Sequence, residues 1–104
     1  KNDIYSGGRG LEAIIRPYVI AVPGIPTSVE FDLKKKYFRF VFIDENINAP
    51  TIVFLPLIHY AQGVKITVSD GRYDVYEQEQ LLVFQHGIKD RSHWIEVSPL
   101  NMIH

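Results

Sequence analysis

The feature that most constrains the fold is a pair of alternating segments separated by a short polar turn. In residues 27–33 every second side chain is apolar, namely those of Val29, Phe31 and Leu33. Residues 37–43 read YFRFVFI, with phenylalanine at every second position. Because successive strand side chains point to opposite faces, this period of two is typical of a half-buried strand. We therefore predict a β-hairpin in which one strand presents three phenylalanines on one face: Phe38, Phe40 and Phe42.

Several further segments carry the same β pattern. They are residues 51–55, 64–68, 72–76, 80–85 and 93–98, with residues 18–22 as a possible eighth strand. The apolar run TIVFL at 51–55 predicts burial on both faces or a strand that crosses between sheets. Ser69-Asp70-Gly71 predicts a tight turn after which residues 72–76 pair back. We predict an all-β chain, an antiparallel β-sandwich of about seven to eight hairpin-connected strands, with a small closed barrel as the alternative.

A helical pattern is confined to the first 18 residues. An apolar stripe at i, i+3, i+4 and i+7 is formed by Leu11, Ile14, Ile15 and Tyr18, and one face of a 3.6-residue period has this spacing. Ser6 is a candidate N-cap, and Pro17 ends the pattern because it lacks an N–H. We predict one or two helical turns around residues 9–16. A stripe this short does not fold alone, so it requires a partner surface.

Composition excludes several classes of protein. The 104 residues are enough for one domain, and 46% hydrophobic content is enough for a core. A formal net charge of −1 gives no basic surface for nucleic acid or for anionic lipid. With no cysteine, disulfides, thiolate metal ligands and cysteine nucleophiles are excluded. No apolar run reaches the ~20 residues of a membrane helix.

The chain resembles a piece of a longer polypeptide. Lys1 is not a natural start, and Tyr5-Ser6-Gly7-Gly8 resembles the middle of a domain. No signal peptide is visible. Together with the lack of cysteine, this favours a cytoplasmic or vacuolar location.

No arrangement of polar residues predicts chemistry within this chain. The histidines at positions 59, 86, 93 and 104 form no HxH or HxxxH pair, so we predict no metal site. The carboxylates fall on outward strand faces, in turns or in loops, and Asp44 and Asp70 are expected to be solvated. Gly7-Gly8-Arg9-Gly10 lacks the Lys-Ser/Thr of a phosphate-binding loop. We therefore predict no catalytic residue, no cofactor and no metal ligand.

Five aromatic residues leave a sugar-stacking platform open as a possibility. They are Tyr37, Tyr60, Tyr73, Tyr76 and Trp94. Aromatic side chains on the strands of a sandwich more often belong to the core. We therefore interpret them chiefly as core residues.

Three ordered segments resemble a known family. They are YSGGRGLEAIIRPY at 5–18, AVPGIPTSVEFDLKKKYFRFVF at 21–42, and TIVFLPLIHY with VKITVSDG within 51–71. The first resembles the junction in glycoside hydrolase family 5 glycosidases where the last helix of the catalytic barrel leads into a C-terminal β-sandwich. The others resemble the opening and middle of that sandwich. The resemblance is greatest to the fungal branch of sterol-glucoside β-glucosidases and glucosylceramidases, with endoglycoceramidases as relatives.

The resemblance implies a division of the chain and a partner. Residues 1–17 would be the tail of a catalytic (β/α)8 barrel, and residues 18–104 the C-terminal β-sandwich. The barrel, in the same polypeptide, would hydrolyse a glycolipid with retention of configuration. No residue here matches its catalytic glutamates, so the expected role is to brace the barrel. The residues expected at that interface are Leu11, Ile14, Ile15, Arg16 and Tyr18.

Two other functions remain open on the sequence. One is an autonomous module that binds carbohydrate or a lipid surface. The other is a generic immunoglobulin-like interaction domain without any connection to carbohydrate, in which residues 6–16 would not form a docked helix.

Overall fold

A computed structural model describes residues 15–100 of the chain, and strands dominate it. The eight strands are β1 (Tyr18–Ala21), β2 (Gly24–Asp32), β3 (Tyr37–Asp44), β4 (Thr51–Phe54), β5 (Val64–Val68), β6 (Arg72–Tyr76), β7 (Leu81–Gln85) and β8 (Ser92–Pro99). A single 3-10 turn, Leu57–His59, is the one helical element of the described range. No helix within residues 15–100 has the length and apolarity needed to span a membrane.

The strands form two antiparallel sheets of four strands each. Sheet 1 has the order β1-β4-β7-β6, and sheet 2 has the order β2-β3-β8-β5. The predicted antiparallel sandwich of seven to eight strands is confirmed, and the closed-barrel alternative is wrong because the two sheets are not hydrogen-bonded into one. The predicted apolar strand at 51–55 is β4, which lies inside sheet 1 between β1 and β7.

The core lies between the sheets and uses alternate residues of the inner strands. Its fully buried side chains include Phe38, Phe40, Phe42, Val53, Leu82, Phe84, Ile95 and Val97. The rings of Phe42 in sheet 2 and Phe84 in sheet 1 meet edge to face, with centroids 6.3 Å apart. Burial of each large apolar side chain stabilises the fold by about 2 to 3 kcal/mol. The predicted phenylalanine face of β3 is therefore the centre of the core.

The predicted hairpin of residues 27–43 forms, but β2 is less buried than its pattern suggests. Phe31 packs against the core, whereas Val29 is 51% exposed and Leu33 is exposed. The register shifts between Pro26 and Ser28, and β2 is an edge strand. An edge strand has a neighbouring strand on one side only, so the side chains of β2 are less covered than those of β3.

The expectation that consecutive strands are joined by hairpins is wrong for most of the chain. Only β2–β3 and β6–β7 are hairpins between neighbours in one sheet, while the other connections pass between sheets. The turn at Ser69–Gly71 leads from β5 in sheet 2 to β6 in sheet 1. Gly71 has a positive φ of 67° and approaches the Gln85 carbonyl so closely that a Cβ would lie 2.0 Å from it. This contact directs β6 to the side of β7.

The predicted helix of residues 9–16 falls mostly outside the described residues. Ile15 and Arg16, its last two positions, are neither helix nor strand in the structure. Leu11 and Ile14 lie outside the described range. The structure therefore gives no support to the N-terminal helix.

Candidate functional site

Four polar side chains converge at one end of the sandwich, which we call the cluster end: Asp44, Asp70, His86 and His93. Asp44 is the last residue of β3 and His93 the second residue of β8. His86 directly follows β7, and Asp70 lies in the turn between β5 and β6. Because β8 pairs antiparallel with both β3 and β5, these strand ends meet at the same edge of the sandwich.

His93 is fully buried and has a carboxylate on each side. Its Nε2 lies 2.7 Å from Oδ2 of Asp44, and its Nδ1 lies 3.0 Å from Oδ1 of Asp70. A neutral imidazole donates from only one ring nitrogen. Both contacts are therefore hydrogen bonds only if the ring carries two protons. A position between two carboxylates is favoured by positive charge at or beside this ring.

Asp44 is buried and held by main-chain contacts. The Asn46 N–H donates to its Oδ1 at 2.9 Å, while its own N–H donates to the Arg91 carbonyl at 2.8 Å. The Asn46 N–H and the His93 ring hold the pKa of the Asp44 carboxyl below its ordinary value. The expectation that Asp44 is a solvated loop residue is wrong, since the residue ends β3 and is 5% exposed.

Asp70 is fixed from the opposite side of His93. The Ser69 hydroxyl donates to Oδ1 of Asp70 at 3.0 Å, and the same hydroxyl oxygen accepts from the Trp94 N–H at 3.0 Å. The Asp70 side chain is 24% exposed, so it is less solvated than expected. These contacts connect the turn after β5 to the start of β8 and leave Asp70 oriented toward His93.

His86 lies against His93 without a clear hydrogen-bond partner. The two imidazole centroids are 4.5 Å apart, and Phe42 packs on both rings. The His86 side chain is 8% exposed, its Nε2 is 3.9 Å from Oδ2 of Asp44, and its buried Nδ1 has no hydrogen-bond partner. One ligand atom from each of Asp44, His86 and His93 lies within 4.8 Å of the others.

A groove of about 510 Å³ opens beside this cluster. Residues from 44–48 and 85–91 line it, and they include Asp44 and His86. The guanidinium of Arg91 donates to the Asp44 main-chain oxygen at 2.9 Å rather than to the carboxylate. The groove therefore gives solvent access to a carboxylate and an imidazole that are otherwise enclosed.

The opposite end of the sandwich, which we call the junction end, holds the first described residues. The His59 ring nitrogen Nε2 is hydrogen-bonded to the Ile15 carbonyl. The Arg16 guanidinium lies 5.3 Å from the centroid of Phe31, and Pro17 is buried. The segment 15–17 is thus held against the sandwich by three different contacts.

Tyr60 completes the junction end. It is 4% exposed, and its hydroxyl donates to the Lys36 carbonyl in the β2–β3 turn at 3.0 Å. Burial raises the pKa of Tyr60 to about 12, because the phenolate form would lose its hydration.

The residues predicted at a barrel interface differ in how exposed their side chains are. Ile15 is half-buried and Arg16 is exposed. Tyr18 is 54% exposed, although its ring lies 5.1 Å from that of Phe54. Their role toward a barrel stays a prediction, as do those of Leu11 and Ile14 outside the described residues.

The five aromatics considered for a sugar platform do not form one surface. Tyr60 is buried, while Tyr37 and Trp94 are half-buried. Tyr73 and Tyr76 are exposed, but three positions separate them on β6, so they point to opposite faces. This arrangement does not favour stacking of a sugar across several rings.

Sequence reasoning missed the cluster, although the strand pattern contains a signal for it. On β3, the inner-face series Phe38, Phe40 and Phe42 continues to Asp44 at the next step of two. The same step leads from Phe84 to His86, and backwards from Ile95 to His93. Extending each apolar alternation by one step finds three polar residues on the inner face. The expectation of no metal ligand stays a prediction.

Comparisons with known proteins agree on one family. The model for the glycoside hydrolase family 5 C-terminal domain matches residues 16–97. A glucosylceramidase of Rhizopus delemar is 39% identical over 92 residues, 86% of this chain. An ergosteryl-beta-glucosidase of Saccharomyces cerevisiae is 33% identical over 91 residues, 83% of this chain. The chain spans only 14% and 12% of the length of these two relatives.

Solved structures show the same fold. Sterylglucosidase 1 of Cryptococcus neoformans matches with a TM-score of 0.78 and 28% identity, over 89% of this chain and 14% of that one. Endo-glycoceramidase II from Rhodococcus sp. matches with a TM-score of 0.66 and 23% identity, over 83% of this chain and 19% of that one. At that lower identity the second match shows the fold alone.

Proposed function

Since this chain belongs to the glycoside hydrolase family 5 C-terminal domain family, we propose that it is the non-catalytic β-sandwich of a retaining β-glucosidase that hydrolyses lipid-linked glucose. The family resemblance predicted from the sequence is confirmed, and family membership argues against a generic interaction domain without any connection to carbohydrate. The names of the relatives, a glucosylceramidase and an ergosteryl-beta-glucosidase, support glucosylceramide or a steryl glucoside as the substrate of the parent enzyme.

This chain matches only a small fraction of the length of each relative, which supports a partner domain in the same polypeptide. About seven-eighths of each curated relative lies outside the part that this chain matches. In our proposal that remainder corresponds to a catalytic (β/α)8 barrel, which carries the two glutamates of a retaining glycosidase. The domain division at residues 17 and 18 is part of this proposal.

The observation that carries the bracing role is the attachment of residues 15–17 to the sandwich. The Ile15 carbonyl is hydrogen-bonded to His59, the Arg16 guanidinium lies over Phe31, and Pro17 is buried. A flexible linker would need none of these contacts. A segment held at three consecutive residues fixes the direction in which the preceding chain leaves the sandwich, which a brace requires.

An apolar surface beside this segment supports the same role. β1 and β2 are the edge strands on one side of the sandwich, joined by two residues. Four of their apolar side chains are half or more exposed: Tyr18, Ile20, Ile25 and Val29. Ile25 pairs with the exposed Ile43 and Val29 with the core residue Phe40, so these side chains lie around an edge and not on one face. We call this edge the β1/β2 surface.

Tyr18 directly follows residues 15–17, and Val29 is two positions from Phe31, which the Arg16 guanidinium contacts. Together with the missing bulk of the relatives, this indicates the catalytic barrel as the occupant of the β1/β2 surface.

The test compares two surfaces of the parent enzyme. Tyr18→Ser and Val29→Ser on the β1/β2 surface should each lower the thermal midpoint of the barrel and the kcat for a glucosylated lipid. The reason is that barrel side chains would lose apolar contacts with the sandwich. Thermal unfolding followed by a signal from the barrel, together with steady-state kinetics, measures both effects.

The matched control changes exposed apolar residues on the far edge of sheet 1. Tyr73→Ser and Tyr76→Ser on β6 alter side chains that are 41% and 47% exposed but lie away from residues 15–17. They should leave the barrel midpoint and kcat unchanged. Equal effects of the two pairs would contradict the bracing role, as would a parent enzyme that keeps full stability and activity after removal of residues 18–104.

A further inference from the structure

We propose that Asp44, His86 and His93 form a binding site for one divalent transition-metal ion of the Zn²⁺ class, with Asp70 as the residue that orients His93. The proposal does not depend on the glycosidase assignment. It goes beyond the bracing role, because it assigns a site at the cluster end, opposite the junction.

The ligand types and their separations suit such an ion. Two imidazoles and one carboxylate are a donor set that Zn²⁺ and its neighbours accept in proteins. Oδ2 of Asp44 lies 2.7 Å from Nε2 of His93 and 3.9 Å from Nε2 of His86. Ligand atoms about 2.1 Å from a tetrahedral Zn²⁺ lie about 3.4 Å apart, which is between these two distances. The third pair, between the two histidines, lies within 4.8 Å, so adjustments of up to about 1.4 Å would bring all three atoms to this spacing.

The charge balance of the cluster calls for a cation. Asp44 and Asp70 contribute two carboxylates within hydrogen-bond distance of one imidazole. Within residues 15–100, the nearest guanidinium, that of Arg91, donates to the Asp44 main-chain oxygen instead. If a neutral His93 donates from Nδ1 to Asp70, the lone pair of its Nε2 faces the Asp44 carboxylate, and the two repel each other. A metal ion that binds both atoms removes this repulsion.

His86 supplies the independent observation. Its side chain is more than nine-tenths buried, yet its Nδ1 has no hydrogen-bond partner, and Nε2 is 3.9 Å from the nearest Asp44 oxygen. Buried imidazole nitrogens are usually paired, because an unpaired one loses its hydration without compensation. The centroid of this ring lies 4.5 Å from that of His93. An ion bound at Nε2 would give the ring a partner that it otherwise lacks, although one ion coordinates only one of the two ring nitrogens.

In many metal sites, a carboxylate that does not bind the metal hydrogen-bonds to a histidine ligand and orients it. Asp70 has this position beside His93. It accepts from Nδ1, which leaves Nε2 as the nitrogen available for coordination. Asp70 is itself held by the Ser69 hydroxyl, so the ring orientation is set from the main chain. Asp70 is therefore a positioning residue and not a ligand.

The groove provides an entry path and room for a water molecule as a further ligand. Asp44 and His86 line this groove of about 510 Å³. Two of the ligands come from sheet 2, and His86 follows β7 of sheet 1. The bound ion would join the two sheets at the end remote from residues 15–17 and so stabilise the sandwich.

The experiment uses the parent polypeptide at its natural length, stripped with EDTA, and Zn²⁺ alone as the probe. Calorimetric titration should show one equivalent of saturable binding, and the thermal midpoint should rise with Zn²⁺ concentration. Co²⁺ in place of Zn²⁺ should give the intense visible absorption of a four- or five-coordinate ion. No saturable binding at about 1 mM Zn²⁺ would overturn the proposal.

Variants separate this site from other histidines. His86→Phe keeps an aromatic ring beside Phe42 and should weaken Zn²⁺ binding at least about tenfold, and His86→Gln should do the same if the first variant folds poorly. Asp70→Asn should weaken binding about tenfold and alter the Co²⁺ spectrum. His59→Gln removes a buried histidine from the junction end and should leave the affinity and the spectrum unchanged. Wild-type affinity in both His86 variants would refute the site.

Discussion

The two ends of the sandwich each bury a histidine, but they surround it with opposite kinds of partner. At the junction end, His59 is 7% exposed and its ring is hydrogen-bonded to a main-chain carbonyl, that of Ile15. At the cluster end, His93 is fully buried between the carboxylates of Asp44 and Asp70. One ring has a neutral partner, and the other has two charged ones.

The difference shows what each end requires to stay intact. A neutral histidine satisfies the junction contact, and loss of the ring leaves one carbonyl without its donor. At the cluster end, loss of the ring leaves two carboxylates without the partner that lies between them, which is the more costly outcome. The junction end therefore fixes a chain segment, whereas the cluster end encloses carboxylates that need a compensating partner.

Replacement of each histidine by glutamine tests this contrast directly. We expect His93→Gln to destabilise the chain by about 3 to 5 kcal/mol, because a buried charged contact is broken. We expect His59→Gln to cost about 1 to 2 kcal/mol, the scale of one hydrogen bond with some lost packing. Urea unfolding followed by Trp94 fluorescence measures both. Equal costs would show that the charge at the cluster end contributes little.

The alkaline limit of stability should belong to the junction end. Burial raises the pKa of Tyr60 to about 12, above its ordinary value of 10.0. Since the unfolded chain loses this proton first, the contribution is complete below pH 10 and is lost as pH rises toward 12. The loss should reach about 2 to 3 kcal/mol.

Unfolding between pH 9 and 12 compares the wild type with two phenylalanine variants. Tyr60→Phe should be less sensitive to alkali than the wild type, because it has no buried phenol to ionise. The control Tyr76→Phe, at a residue 47% exposed, should keep the wild-type dependence. An unchanged alkaline profile in Tyr60→Phe would locate the titrating group elsewhere.

Gly87→Ala tests how rigidly the cluster end holds Asp70. A Cβ at position 87 would lie 2.9 Å from Oδ2 of Asp70, so the carboxylate must move or the loop must shift. We expect a cost of about 1 to 2 kcal/mol, since small overpacking changes fall in this range. The same change in an Asp70→Ala background should cost almost nothing. If it costs as much there, the loop and not the carboxylate resists the added methyl.

The smallest expected effect is that of the Arg16 guanidinium at the junction end. It lies over Phe31 at 5.3 Å, and an exposed cation–π contact contributes about 0.5 to 1 kcal/mol. A double-mutant cycle with Arg16→Gln and Phe31→Leu should give a coupling energy of that size. A coupling energy near zero would leave the His59 hydrogen bond and Pro17 as the contacts that hold this segment.

The predictability of the fold differs between strands and connections. Residues 37–43 specify their strand and its inner face, because three phenylalanines at a period of two can be buried only together. The turn at Ser69–Gly71 is recognisable as a turn from its residue types, but the direction in which the chain leaves it is not. That direction depends on the Gln85 carbonyl, 14 positions further along the chain.

The candidate site was predictable only in part. The inner-face position of Asp44, His86 and His93 follows from extending the alternation of their strands by one step. Their meeting does not, because it requires the pairing of β3 with β8 and the packing of sheet 1 on sheet 2. The 49 positions between Asp44 and His93 leave no local pattern that relates the two residues.

The sequence by itself determined the β class, the alternating core and the family, because each depends on residue types at short spacing. Only the tertiary structure decided the order of the strands, the contacts of residues 15–17, and the separation of a neutral end from a charged end. The physical reason is that hydrogen bonds between strands and packing between sheets join residues far apart in the chain. The chemistry of a buried histidine depends on what those contacts place beside it.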